Sequence, residues 1–167
     1  MRLFVAIELD PGVKKALSET AGLLIKQVCR ANLTRLENLH ITLAFIGETD
    51  RVDEIKKELD RVSGKSFDIE VDGFGRFGDL FYVNIEKKQE LTALAGKVRS
   101  VLTGIGIIID NKPFVPHITL ARKIVCARDP VLSVERIKIP VKSFMLMKSE
   151  RIGGKLIYTK IYEKYLG

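Results

Sequence analysis

The pentapeptide His-Ile-Thr-Leu-Ala occurs twice, at 40–44 and at 117–121, and the two copies hold both histidines of the 167-residue chain. Their offset, 117 − 40 = 77 residues, is close to half the chain length. That period is too long for a small solenoid repeat and points to a molecule with two quasi-equivalent halves. An apolar, β-branched segment of this kind reads as a strand, and on a strand residues i and i+2 share a face. His40 and Thr42 then point one way while Ile41 and Leu43 point the other; His117, Thr119, Ile118 and Leu120 repeat the arrangement. With the apolar faces buried, two imidazoles and two hydroxyls are left to meet across a cleft.

Such a cleft suits in-line attack at a phosphodiester. One imidazole withdraws a proton from water while the other protonates the leaving oxygen, and an unperturbed histidine titrates near neutrality. Threonine hydroxyls and nearby backbone N–H groups can hold a non-bridging phosphate oxygen. A lone histidine on a strand is most simply a core-edge residue, but that reading does not account for two copies of one pentapeptide. No carboxylate cluster calls for a divalent ion, and neither Cys29 nor Cys126 has zinc-ligand spacing to a histidine. We therefore expect no metal and no cofactor.

The rest of the chain reads as alternating elements. Leu3 to Leu9 is a strand, and Asp10-Pro11 opens a helix expected over 11–29. Leu39 to Ile46 is the first motif strand. A helix follows over 50–63, with Thr49 or Asp50 as its cap. Phe67 to Val71 alternates as a strand, the glycine-rich 73–79 reads as a loop, and Leu80 to Ile85 can pair back across it. Leu91, Leu94, Ala95, Val98 and Leu102 mark a helix over 87–102. Ile118 to Ala121 is the second motif strand. Segments 143–148 and 156–162 are expected as strands, joined through Gly153-Gly154 by a loop longer than the tightest hairpins. This order predicts an α+β fold with mostly antiparallel sheet; no glycine-rich loop follows the first strand, so a dinucleotide-binding fold is not expected.

With 46% apolar residues the chain can bury a proper core, and its length fits one domain of two packed lobes. No stretch approaches the roughly 18 apolar residues that cross a bilayer, so no membrane partner is expected. Glu8 comes too early for a signal peptide. Two cysteines make neither a disulfide framework nor a metal knuckle and read as buried thiols in a reduced, cytoplasmic compartment. The formal charge of +7 favours an anionic partner.

The doubled motif resembles that of the two-histidine phosphoesterase superfamily. Within it the chain is similar to the RNA 2′,3′-cyclic phosphodiesterases, formerly called 2′-5′ RNA ligases. The likeness runs through 2–7, 37–47, 113–122, 144–149 and 154–158. It implies two α+β lobes around a cleft, with one motif per lobe. It also implies His40 as general acid, His117 as general base on water, Thr42 and Thr119 as phosphate contacts, and Arg122 as a basic residue beside them. The implied reaction opens an RNA 2′,3′-cyclic phosphate to a 2′-phosphate without metal or nucleotide, with reversible 2′-5′ joining of tRNA halves, in a protein expected to be monomeric. Relatives often carry a tryptophan ahead of the first motif, whereas this chain has none and places Thr34-Arg35-Leu36 there. Phe45, Phe74, Phe77 and Phe114 are candidates for a base platform, each also a candidate for the core. Lys148, Ser149 and Arg76 are weaker candidates for the cleft border.

Two other readings stay open on the sequence. One is a two-histidine enzyme acting on a small cyclic phosphate or a 2′-5′ oligonucleotide. The other is an RNA-binding protein that has kept the fold without the chemistry, since fold alone does not establish activity.

Overall fold

Nine strands and three α-helices follow one another in the computed structural model, which describes residues 1–167. Their order is β1 (Arg2–Glu8), α1 (Pro11–Ile25), β2 (Arg30–Leu33), β3 (His40–Glu48), α2 (Val52–Asp60), β4 (Phe67–Phe77), β5 (Leu80–Ile85), α3 (Gln89–Gly104), β6 (His117–Val125), β7 (Lys138–Val141), β8 (Ser143–Ile152) and β9 (Lys155–Tyr165). They build two sheets, β3-β1-β8-β9 and β2-β6-β5-β4-β7. Every strand pair is antiparallel, so the expected α+β class with antiparallel sheet holds. The first motif lies on β3, at the edge of one sheet, and the second on β6, inside the other; the two strands touch.

The repeat seen in the sequence is a repeat of structure. The unit β1–α1–β3 begins its elements at residues 2, 11 and 40, and β5–α3–β6 at 80, 89 and 117, offsets of 78, 78 and 77. Pairing within each unit breaks at the same motif position. Val5 faces Ala44 and Ala6 faces Thr42, which leaves Leu43 extra. Phe81 faces Ala121 and Tyr82 faces Thr119, which leaves Leu120 extra. Such a bulge bends a strand and sharpens its twist, so both motif strands are aimed by the same device. Each unit's helix packs against the other unit's motif strand, α1 on β6 and α3 on β3. This exchange joins the halves around one apolar cluster of 36 buried residues.

Several boundaries differ from the sequence reading. The first helix stops at Ile25, four residues early, and β2 follows where no strand was expected. Gly73 to Phe77 continues β4 beyond a bulge and is not a loop. At α2, Arg51 occupies the capping position without a side-chain capping bond, while the Thr49 hydroxyl accepts from the Arg51 N–H. The β8–β9 hairpin has the tightest turn after all. Ile152 pairs with Lys155, and Gly153 and Gly154 both take positive φ, 60° and 79°, as a two-residue type I′ turn requires. Finally, the cysteines are not buried thiols. Cys29 is exposed, Cys126 is half-buried, and both are free.

Candidate active site

The two motifs have the same burial pattern: histidine and threonine half-buried, isoleucine, leucine and alanine buried. Ile41, Leu43 and Ile118 are fully buried behind the strands. The alternation therefore turns His40 and Thr42 onto one open face, and His117 and Thr119 onto another. A hydrogen bond of 2.8 Å between His40 Nε2 and Thr42 Oγ1 shows the first pair sharing its face.

Each imidazole is oriented by the carbonyl two residues ahead of it. His40 Nδ1 donates to Asn38 O at 2.6 Å, and His117 Nδ1 to Val115 O at 2.7 Å. A carbonyl only accepts, so the Nδ1 proton is placed by these bonds, and in the neutral ring Nε2 is left as the acceptor. At His40 the Thr42 hydroxyl then donates to Nε2. Asn38 is itself buried, and its Nδ2 donates to Leu156 O of β9, which ties the approach to β3 across the sheet.

Aromatic rings wall both histidines. His40 packs against Phe4, 5.1 Å between ring centroids, and Tyr158, 5.3 Å, two rings that also touch each other at 4.9 Å. His117 lies against Tyr82 at 5.2 Å and Phe77 at 5.6 Å, and those two rings stack on each other at 4.4 Å. Gly75 makes this stack possible, since a Cβ added there would stand 2.5 Å from the Tyr82 hydroxyl oxygen. Of the four phenylalanines singled out above, Phe77 borders His117, and Phe45 is 66% exposed beside Phe4. Phe74 stacks on Phe81, and Phe114 lies beneath the Arg99 guanidinium; both pack on the core.

The site is electropositive and asymmetric. Burial is the largest influence on His40 and pushes its pKa below the usual histidine value. The positive fields of His117, Arg122 and Lys14 act in the same direction, and the bond to Asn38 O opposes them. Arg122 is exposed on β6 and has no carboxylate partner, so it is near enough to act on His40 and is free for an anion. Arg76, by contrast, is held by Asp129 at 2.5 Å. Strand alternation puts Ser149 on the Tyr158 side of β8. Lys148 points to the other side and pairs with Glu150 at 3.1 Å. No group of three or more His, Cys, Asp or Glu side chains is arranged to hold a metal ion. Tyr158, Phe4, Tyr82 and Asn38 were not foreseen as site residues. The approach of Tyr158 in particular depends on β9 reaching across the sheet, which no local signal announces.

Paired His-x-Thr strands, presented by two antiparallel sheets and in contact with each other, define a two-histidine phosphoesterase. The 2′-5′ RNA ligase superfamily model matches residues 11–145. An RNA 2′,3′-cyclic phosphodiesterase of Thermotoga maritima is 38% identical over 131 residues, covering 73% of this chain and 70% of its own. One of Archaeoglobus fulgidus is 34% identical over 133 residues, covering 73% and 72%. The chain belongs to this superfamily, within its RNA 2′,3′-cyclic phosphodiesterase family. A Thermus thermophilus structure superposes with TM-score 0.80 at 26% identity, covering 99% of this chain and 97% of the other. Escherichia coli LigT shares the fold with TM-score 0.82 at 24% identity over 99% and 96%.

Proposed function

We propose that this protein hydrolyses the 2′,3′-cyclic phosphate end of RNA to a 2′-phosphate by two-histidine acid–base catalysis without a metal ion. The chain would act as one catalytic domain with a motif-bearing sheet in each lobe. The observation that carries the reading is the pair of imidazoles, each fixed through Nδ1 by the carbonyl two residues ahead, with Nε2 open at His117 and met only by the Thr42 hydroxyl at His40. His117, whose Nε2 has no protein partner, takes the proton from the attacking water. His40 delivers a proton to the departing 3′ oxygen. Thr42, Thr119 and the forked guanidinium of Arg122 hold the non-bridging oxygens.

The test is direct. A short RNA ending in a 2′,3′-cyclic phosphate, incubated with the protein and excess chelator, is expected to give a 2′-phosphate. An intact cyclic end sinks the reading, and a 3′-phosphate product overturns the assigned regiochemistry.

The lowered pKa of His40 has a kinetic consequence. Burial favours its neutral form in the free protein, whereas a general acid must start protonated. An arriving phosphate adds negative charge beside the ring and raises that pKa. The proton on His40 is therefore bound together with the substrate. Since kcat/KM reports the free protein and kcat the complex, the alkaline limb of kcat is expected at higher pH than that of kcat/KM. Coincident limbs would show that His40 does not take up its proton with substrate. Stability has the opposite sense. A depressed histidine pKa in the folded state stabilises above the unfolded value, about 6.5. That contribution fades as the pH falls through the folded value.

A further inference from the structure

Five arginines of this chain are neutralised by carboxylates: Arg35, Arg51, Arg61, Arg76 and Arg136. Three others, none in an ion pair, converge on Tyr158. The register of the first sheet makes the cluster. Ser149 pairs with Arg2 on one side and with Tyr158 on the other, so the three side chains stand in one cross-strand row. Arg151 follows Ser149 by two positions on the same face, and its guanidinium bonds only to Gly154 O at 3.4 Å. Arg122 comes from the opposite sheet, and the fields of all three guanidiniums reach the Tyr158 hydroxyl. Burial raises the pKa of Tyr158, which leaves it an O–H donor at neutral pH. Its ring is 5.3 Å from that of His40.

We propose that Arg2, Arg151 and Tyr158, with Arg122 between them and the histidines, form a second phosphate subsite that takes the internucleotide phosphate preceding the cyclic end of an RNA strand. Unpaired guanidiniums held close repel one another, and an anion relieves that repulsion. The guanidinium fork matches phosphate oxygens. The subsite shares a face with His40, so an anion there belongs to the same strand as the reacting phosphate. Substrates with at least one internucleotide linkage are then preferred over a cyclic mononucleotide. This inference rests on the cyclic phosphodiesterase reading.

The experiment compares a 2′,3′-cyclic mononucleotide with a trinucleotide carrying the same cyclic end, for the native protein, Arg2→Gln, Arg151→Gln and Arg61→Gln. Arg61 has a side chain 70% exposed at the end of α2 and controls for net charge. Each of the first two changes is expected to lower kcat/KM about 10-fold on the trinucleotide, as for a lost charge-assisted contact, and no more than about twofold on the mononucleotide. The salt dependence on the trinucleotide should flatten by about 0.7 in log–log slope per lost contact. Equal losses on both substrates, no loss on either, or an equal effect of Arg61→Gln would overturn the subsite. If the native protein opens neither substrate, the underlying reading fails and the subsite with it.

Discussion

His117→Ala and His40→Ala are each expected to lower kcat on a cyclic RNA end by about 10²–10⁴, the usual contribution of one positioned acid or base. The double variant should fall little below the worse single one. Both groups act in one transition state, and once either proton transfer is lost the other has little to couple to. His117→Ala carries the cleaner test of chemistry. That side chain is half-buried and makes a single hydrogen bond, to a backbone carbonyl, so its removal leaves no other side chain without its partner. His40→Ala also empties the space beside Phe4 and Tyr158 and leaves the Thr42 hydroxyl without its partner; a melting curve should accompany its kinetics. The measurement is single-turnover cleavage at saturating protein. Full activity in either variant would remove that histidine from the mechanism, and no cleavage by the native protein would favour an RNA-binding protein without the reaction.

What was legible in the sequence follows from how far strand alternation carries information. A two-residue period acts locally, so the facing of His40 with Thr42 and the burial of Ile41 and Ile118 could be read from ten residues. The 77-residue offset supplied the second half. The bulges at Leu43 and Leu120 leave no trace in an uninterrupted apolar pattern, because they are set by the partner strands β1 and β5. Two strands of only four residues, β2 and β7, were missed; too few positions alternate there to make a pattern. Glycine content misled at 73–77, where Gly75 serves the Tyr82 ring and not a loop. The cysteines were assigned by residue-type preference alone, and their positions after α1 and after β6 override it. Identical pentapeptides cannot reveal which histidine is more buried. That asymmetry arises from Phe4, Tyr158 and the charges around His40, which tertiary folding brings in.

Ile118→Ala should destabilise the protein by about 2–5 kcal/mol, the range for emptying a buried aliphatic site. Ile118 has no exposed surface and belongs to the central apolar cluster. In a chain of this size each kcal/mol shifts Tm by about 2–4 °C, so thermal unfolding should register the change easily. The activity measured well below Tm is more informative. Ile118 lies directly after His117 and faces away from it, against the core into which α1 packs on β6. A cavity there lets β6 relax, and misplacing a reacting group by about 1 Å can cost about 10²-fold in rate. The combined expectation is a lower Tm with a reduced kcat in the fraction still folded, and KM little changed because Arg122 remains exposed on the same strand. Loss of stability with native kcat would mean that the Nδ1 bond to Val115 holds the imidazole without help from packing. A cost below about 1 kcal/mol would contradict the burial of this strand and, with it, the use of the apolar alternate positions to aim both motifs.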